Sequence, residues 1–221
     1  MRERFRCGMS DPRPIVILGN GGHARVVADI CRVAGREVRG FLDRQRAVVP
    51  VRGERILGGD ELLDDPSFVA RYDFVIGIAH QDVRRRLGEW LRAKGAVMTN
   101  AIHPSAVVAS DVTMGVGVVL VAGSVVNPGA QLGDLVIVNT GATVDHDCRL
   151  GVGVHVGPGA HLTGSVVCGE YAFVGAGAVV IPGRTIGART VVGAGAVVVS
   201  DIGSDVTVVG CPARVIKNVG C

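Results

Sequence analysis

The strongest pattern in this chain is a hydrophobic register in its second half. Stepping by six from Ile102 to Val198 meets seventeen positions, sixteen of them aliphatic or Met and the other Cys168. A second set two residues earlier is often small: Ala106, Ser124, Ala130, Ala142, Ala160, Ala172, Ala178 and Ala196. Glycine follows the aliphatic residue at Gly115, Gly133, Gly151, Gly169 and Gly187, at intervals of 18 residues. Three hexads per 18 residues predict a triangular prism of short parallel strands. In it the aliphatic residue points inward, the small partner leaves room at the axis, and the 18-residue glycines mark corners.

The first half has a different grammar. Pro14 to Gly19 reads as a short buried strand, followed by a helix with apolar positions Val26, Val27, Ile30 and Val33. Strands are predicted at Glu37 to Asp43, Asp73 to Ala79 and Ala96 to Ala101, and helices at Asp60 to Ala70 and Asp82 to Lys94. Alternating strands and helices imply a small α/β unit, a Rossmann-like βαβ sheet. The division is a 1–13 extension, a 14–100 Rossmann-like domain, a 101–208 β-solenoid and a 209–221 tail.

Composition fits this division. There are 33 glycines but only eight aromatic residues among 221, so the core must come from repetition of small aliphatic side chains. Residues 1–100 carry 18 Lys/Arg against 13 Asp/Glu, while 101–221 carry 5 against 7. That excess is too small and too interspersed for a nucleic-acid surface, though it suits a small anionic ligand. The run Arg84-Arg85-Arg86 reads as a solvated helix face. Six cysteines show no metal spacing, and the apolar run Ile15 to Leu18 is only four residues long. The expectation is a cytoplasmic protein with free thiols, no leader and no membrane span.

Two constellations carry chemistry. Gly19-Asn-Gly21-Gly-His-Ala24 lies between a strand and a helix and fits the dinucleotide fingerprint, with Asp43 ending the next strand. The unit is too small to hold a full dinucleotide, so a nucleotide sugar competes with a nicotinamide cofactor and with a plain tight turn. His146, flanked by Asp145 and Asp147, is the second. An imidazole beside a carboxylate is suited to general-base catalysis. By the hexad register His146, His155 and His161 sit outward or at corners on different sides, so they cannot converge on a metal within one chain, and none is expected. His103, before Pro104, reads as a capping residue. Cys148 and Cys168 fall at interior positions and read as inert.

These residues together resemble a family. The start Ile-Leu-Gly19-Asn-Gly-Gly-His23-Ala-Arg25, the junction Asn100-Ala-Ile-His103-Pro, the segment Asn139 to Cys148 and the ending Gly210-Cys-Pro212-Ala are similar to hexapeptide-repeat sugar O/N-acyltransferases with a left-handed parallel β-helix. Within that family the likeness is greatest to GDP-perosamine and UDP-4-amino-sugar N-acetyltransferases, and it covers residues 14–217. The resemblance implies acetyl-CoA as cosubstrate, a nucleotide-linked amino sugar as acceptor and a homotrimer. It implies His146 as base with Asp147 as its partner. It puts His155, Gly164, Ala176 and Ala194 at acetyl-CoA, and Gly21, Gly22, His23, Asp43 and Ala79 at the nucleotide sugar. Sialic-acid-type O-acetylation and a non-catalytic nucleotide-sugar-binding scaffold remain open alternatives.

Overall fold

The computed structural model describes residues 13–44 and 55–218. Most of the expected 1–13 extension, together with Cys7 and Cys221, lies outside the described residues. The N-terminal domain runs β1 (Ile15–Leu18), α1 (Gly22–Val33), β2 (Val38–Leu42), β3 (Ile56–Gly58), a 3-10 turn (Asp60–Asp64), α2 (Pro66–Arg71), β4 (Asp73–Ile76), α3 (Gln81–Ala93) and β5 (Val97–Met98). Its sheet is parallel throughout, in the order β3-β2-β1-β4-β5. The central β1 is buried on both faces, which explains its unbroken apolar sequence. Asp65 caps α2 through the Ser67 N–H at 2.8 Å, with Pro66 starting the helix.

Three of these findings depart from the sequence reading. β3 was not anticipated, because Ile56-Leu57-Gly58 is too short to show a period. The segment expected to be one helix from Asp60 splits into the 3-10 turn and α2, since Pro66 cannot continue the preceding turn. On α1 the buried stripe is Ala24, Val27, Ala28 and Cys31 with Ile30, whereas Val26 and Val33 are 38% and 51% exposed.

From Ala101–Ile102 to Val197–Val198 the chain forms seventeen two-residue strands wound into a left-handed parallel β-helix. Each sixth-residue position is the second residue of its strand, and from Ile102 to Val180 it pairs with its counterpart 18 residues on, as in Val126↔Val144 and Leu150↔Cys168. These residues and the small partners two positions earlier make one continuous core. Removing such aliphatic surface from water contributes ~25 cal/mol per Å².

The glycine assignment needs correction. The corners turn at the third residue after each inward position from Met114 to Val192, where φ is positive at Gly117, Gly141, Gly153 and their equivalents, and also at Leu135, Asp147, Ser165, Tyr171 and Arg189. The 18-residue glycines make possible a close approach of stacked coils. A Cβ at Gly133 would lie 2.8 Å from the Val152 nitrogen, and one at Gly169 would lie 2.5 Å from the Ala188 nitrogen.

The last coil is capped by Val206–Val209, parallel to Val191–Val192, and by Arg214–Asn218 running back antiparallel. The two domains share a core: Ala24, Val27 and Ile30 of α1 cluster with Ala101, Val119 and Ile137 on one outer face of the β-helix. α1 is therefore buried on two sides. That outer face is covered where hexad arithmetic alone would leave it in solvent.

Candidate active site

The N-terminal domain builds a cradle around β1. Gly19 turns the chain at φ 92° with the space for its Cβ taken by Ile78, 2.6 Å away. Asp43 accepts a hydrogen bond from the Asn20 N–H at 2.8 Å, so this carboxylate ties the ends of β1 and β2 together. Gly21 and Gly22 open α1, and a Cβ at either would meet nothing within 4 Å. The helix N-terminus thus faces open space, which suits an anion such as a diphosphate. Beside it lies a cavity of about 560 Å³, lined by Gly19, Asp43, Arg44, Asp60 and Ile78 and by one face of α3. That face carries Val83, Arg86, Leu87 and Trp90. Arg86 and Trp90 escaped the sequence reading, although 83, 86, 87 and 90 repeat at helical spacing and could have been grouped. Ala79 is not among the cavity residues; its carbonyl binds Arg84 instead.

At the junction of the domains the structure gathers residues that the sequence scattered. His155 points outward from the prism as expected, but that side is covered and the residue is only 6% exposed. Its ring lies 5.0 Å from Phe173 and 6.4 Å from His23, centroid to centroid. Asn139 accepts from the Thr140 N–H at 2.8 Å through Oδ1, which directs its amide nitrogen at His155 Nε2, 3.1 Å away. An amide nitrogen only donates, so Nε2 accepts and the ring is neutral. Burial, then the Arg84 charge, then His23 lower the His155 pKa to about 3, against a backbone hydrogen bond to Ala79. Burial and Arg84 likewise lower His23 to about 4, and its Nε2 is buried with no hydrogen-bond partner among the described residues. The expectation of a solvated Arg84 was wrong: it is 1% exposed.

His146 occupies a corner of the β-helix. Its Nδ1 is 2.8 Å from Asp147 Oδ2, and its side chain is 59% exposed. Asp147 holds φ 59°, a conformation that favours glycine and costs a non-glycine residue of order 1 kcal/mol or more. Asp145 is turned away from the ring, accepting from Asn127 Nδ2 and from the His146 N–H, both at 2.8 Å. Its pKa falls mainly through the Asn127 bond. The Asp147 hydrogen bond, aided by both carboxylate charges, raises the His146 pKa above 6.5. Gly164, one coil on, is the seat of the ring: a Cβ there would lie 2.5 Å from both Cε1 and Nε2.

The remaining expected residues lie elsewhere. Ala176 and Ala194 are exposed and stack on another edge of the prism, 18 residues apart. Between that edge and the His146 edge runs the sheet face carrying Thr143 and His161, whose Oγ1 and Nδ1 are 3.0 Å apart. One chain therefore does not bring Gly164 together with Ala176 and Ala194, nor His146 together with His155. His103 Nδ1 binds the Ser105 N–H at 3.0 Å, a local cap. Cys148 and Cys168 are buried, and burial raises the Cys168 thiol to about 12. No group of metal-ligating side chains is found, and no helix is long and apolar enough to cross a membrane, among the described residues.

A nucleotide-type cradle joined to a left-handed β-helix with a His–Asp corner defines a sugar-modifying acyltransferase of the hexapeptide-repeat class. Residues 14–91 match the PglD N-terminal domain family. The structure is similar to PerB from Caulobacter crescentus in complex with CoA and GDP-perosamine, with 45% identity, a TM-score of 0.87, and coverage of 92% of this chain and 97% of that one. It is similar to the acetyltransferase domain of PglB from Neisseria gonorrhoeae in complex with acetyl coenzyme A, with 38% identity, a TM-score of 0.88 and coverage of 93% and 100%. It also matches WeeI from Acinetobacter baumannii, with 25% identity, a TM-score of 0.75 and coverage of 92% and 99%. Among curated protein sequences, none matches the chain. The chain belongs to the hexapeptide-repeat sugar acyltransferase family.

Proposed function

We propose that this protein transfers the acetyl group of acetyl-CoA to the 4-amino group of a nucleotide-linked 4-amino-4,6-dideoxy sugar of the GDP-perosamine kind. The observation that carries the reading is the His146–Asp147 pair on its glycine seat, in a chain whose other domain opens a helix N-terminus beside a cavity of about 560 Å³. The complexes of the Caulobacter protein with CoA and GDP-perosamine, and of the Neisseria domain with acetyl coenzyme A, support it.

The chemistry follows from the groups. A neutral amine attacks the thioester carbonyl; as the C–N bond forms, His146 Nε2 takes the amine proton while Asp147 holds Nδ1–H and steadies the imidazolium. The C–S bond then breaks and CoA leaves as a thiolate that takes up a proton, giving the amide and free CoA. No acyl-enzyme is needed: Cys31, Cys148 and Cys168 are all buried with raised pKa values. The diphosphate sits at Gly21 and Gly22, the nucleoside in the cavity between Asp43 and Trp90, and the cofactor arm along Ala176 and Ala194. His146 and that second edge belong to different edges of one prism, so a homotrimer, in which the edge of one chain faces the next, completes each site. The free thiols of Cys31, Cys148, Cys168 and Cys211 fit a reducing cytoplasm.

The test is thiol release from acetyl-CoA with GDP-, UDP- and dTDP-linked 4-amino-4,6-dideoxy sugars and their 4-hydroxy counterparts. Release with a 4-amino substrate and not with its 4-hydroxy counterpart is expected. Release only with the hydroxyl form would make the protein an O-acetyltransferase, and no release with any would leave a binding scaffold.

A further inference from the structure

Helix α3 has two working faces. Val83, Leu87 and Trp90 look into the nucleotide cavity. At four-residue spacing, Arg84, Gly88 and Arg92 turn to a corner of the β-helix instead. Arg92 Nη2 reaches Asp134 Oδ2 at 2.7 Å, Gly88 leaves room for Leu135, and Arg84 is buried between the domains. Its guanidinium donates to three backbone carbonyls from three segments: Ala79 at 2.5 Å, Gly153 at 2.5 Å and Leu135 at 3.2 Å. Ala79 follows Ile78 of the cavity wall, whereas Leu135 and Gly153 belong to successive coils. No carboxylate pairs with Arg84 among the described residues.

A buried cation without a counter-charge is costly, and an apolar side chain of similar volume would fill the space with no such penalty. What the apolar chain would lack is geometry. A planar fork of five N–H groups fixes three carbonyls in mutual position, which Met cannot do and the single ammonium of Lys does only in part. Nucleotide and acyl chemistry sit on different domains, and a misplacement of about 1 Å between reacting groups can cost roughly 100-fold in rate.

We infer that Arg84 is a positioning residue that fixes the register of the nucleotide-binding domain on the β-helix, so that an acceptor held by its nucleotide is presented to the acyl site. The inference rests on the acetyltransferase reading. Its charge has a second consequence, helping to keep His23 and His155 neutral beside the same junction.

The experiment compares wild type, Arg84→Met and Arg84→Lys, measuring kcat and KM for the nucleotide-linked amino sugar, its Kd by calorimetry, and the rate with the same amino sugar lacking the nucleotide. Arg84→Met is expected to lower kcat about 30- to 100-fold while Kd moves less than about 3-fold. The nucleotide-free acceptor, which gains nothing from the register, keeps its rate. Arg84→Lys, which retains the charge and disturbs packing less, should recover part of the loss and carries the same test if the Met variant folds poorly. Unchanged kcat in both variants, or an equal fall with both acceptors, would overturn the inference and leave Arg84 a stabilising residue only. A wild type inactive on every nucleotide amino sugar would instead sink the acetyltransferase reading itself.

Discussion

The two histidine sites of this molecule are chemical opposites. At the β-helix corner His146 is exposed, braced by Asp147 and shifted upward in pKa. At the domain junction His23 and His155 are enclosed near the buried Arg84 and shifted down to about 4 and about 3. The corner suits a group that gains a proton during a reaction, because a carboxylate stabilises the imidazolium. The junction suits rings that stay neutral throughout, because burial and a cation both oppose charge. One residue type thus meets two opposite environments, and these push its protonation in opposite directions.

The largest expected effect tests the corner. His146→Ala should lower kcat by about 100- to 10,000-fold with little change in either KM, since general-base catalysis contributes in that range; steady-state thiol release measures it, and a loss below about 3-fold would remove His146 from the mechanism. Next, Gly22→Asp tests the other domain. The site is open and its φ ordinary, so the fold should hold, yet a carboxylate at the helix N-terminus repels a diphosphate. KM for the nucleotide sugar should rise about 30-fold with kcat nearly kept.

Asp147→Asn should act on the corner alone. His146 works as a base when neutral, so wild-type activity falls as pH drops through its raised pKa. Loss of the carboxylate moves that acidic limb to lower pH and reduces the plateau about ten-fold; a pH–rate profile shows both. The smallest change is spectroscopic. In an NMR titration His146 should take up its proton above pH 6.5, with His23 and His155 unchanged until the pH approaches about 4 and about 3. If all three titrated together, the division of roles would fail.

The β-helix was legible in the chain because its core is one-dimensional: each inward side chain from Ile102 to Val198 contacts its own repeats, so six-residue spacing carries the architecture. The His146–Asp147 pair was legible for the same reason, being adjacent in sequence and at a corner. His155 was half legible. Its outward direction follows from the register, but its burial depends on α1 covering the Val119–Ile137 face, which no repeat announces. Arg84 was misread because neighbours in an arginine run share composition and not surroundings: Arg85 pairs with Glu89 in solvent, Arg86 faces the cavity and Arg84 is sealed in. The 18-residue glycines were seen and assigned the wrong physical reason, since φ and the approach of the next coil are properties of the folded chain.

In the proposed homotrimer His146 of one chain serves the nucleotide domain of its neighbour, because one chain keeps His146 apart from the domain junction at His23 and His155. Mixing tests it most directly. Each of His146→Ala and Gly22→Asp is assayed alone at nucleotide-sugar concentrations well below KM, and then both are unfolded and refolded together in equal amounts. Random assembly of a trimer should leave about a quarter of the sites with an intact His146 opposite an intact helix N-terminus, and thiol release should recover toward that fraction of wild type. Activity that stays at the average of the two separate variants would show that each chain works alone, and would contradict the account.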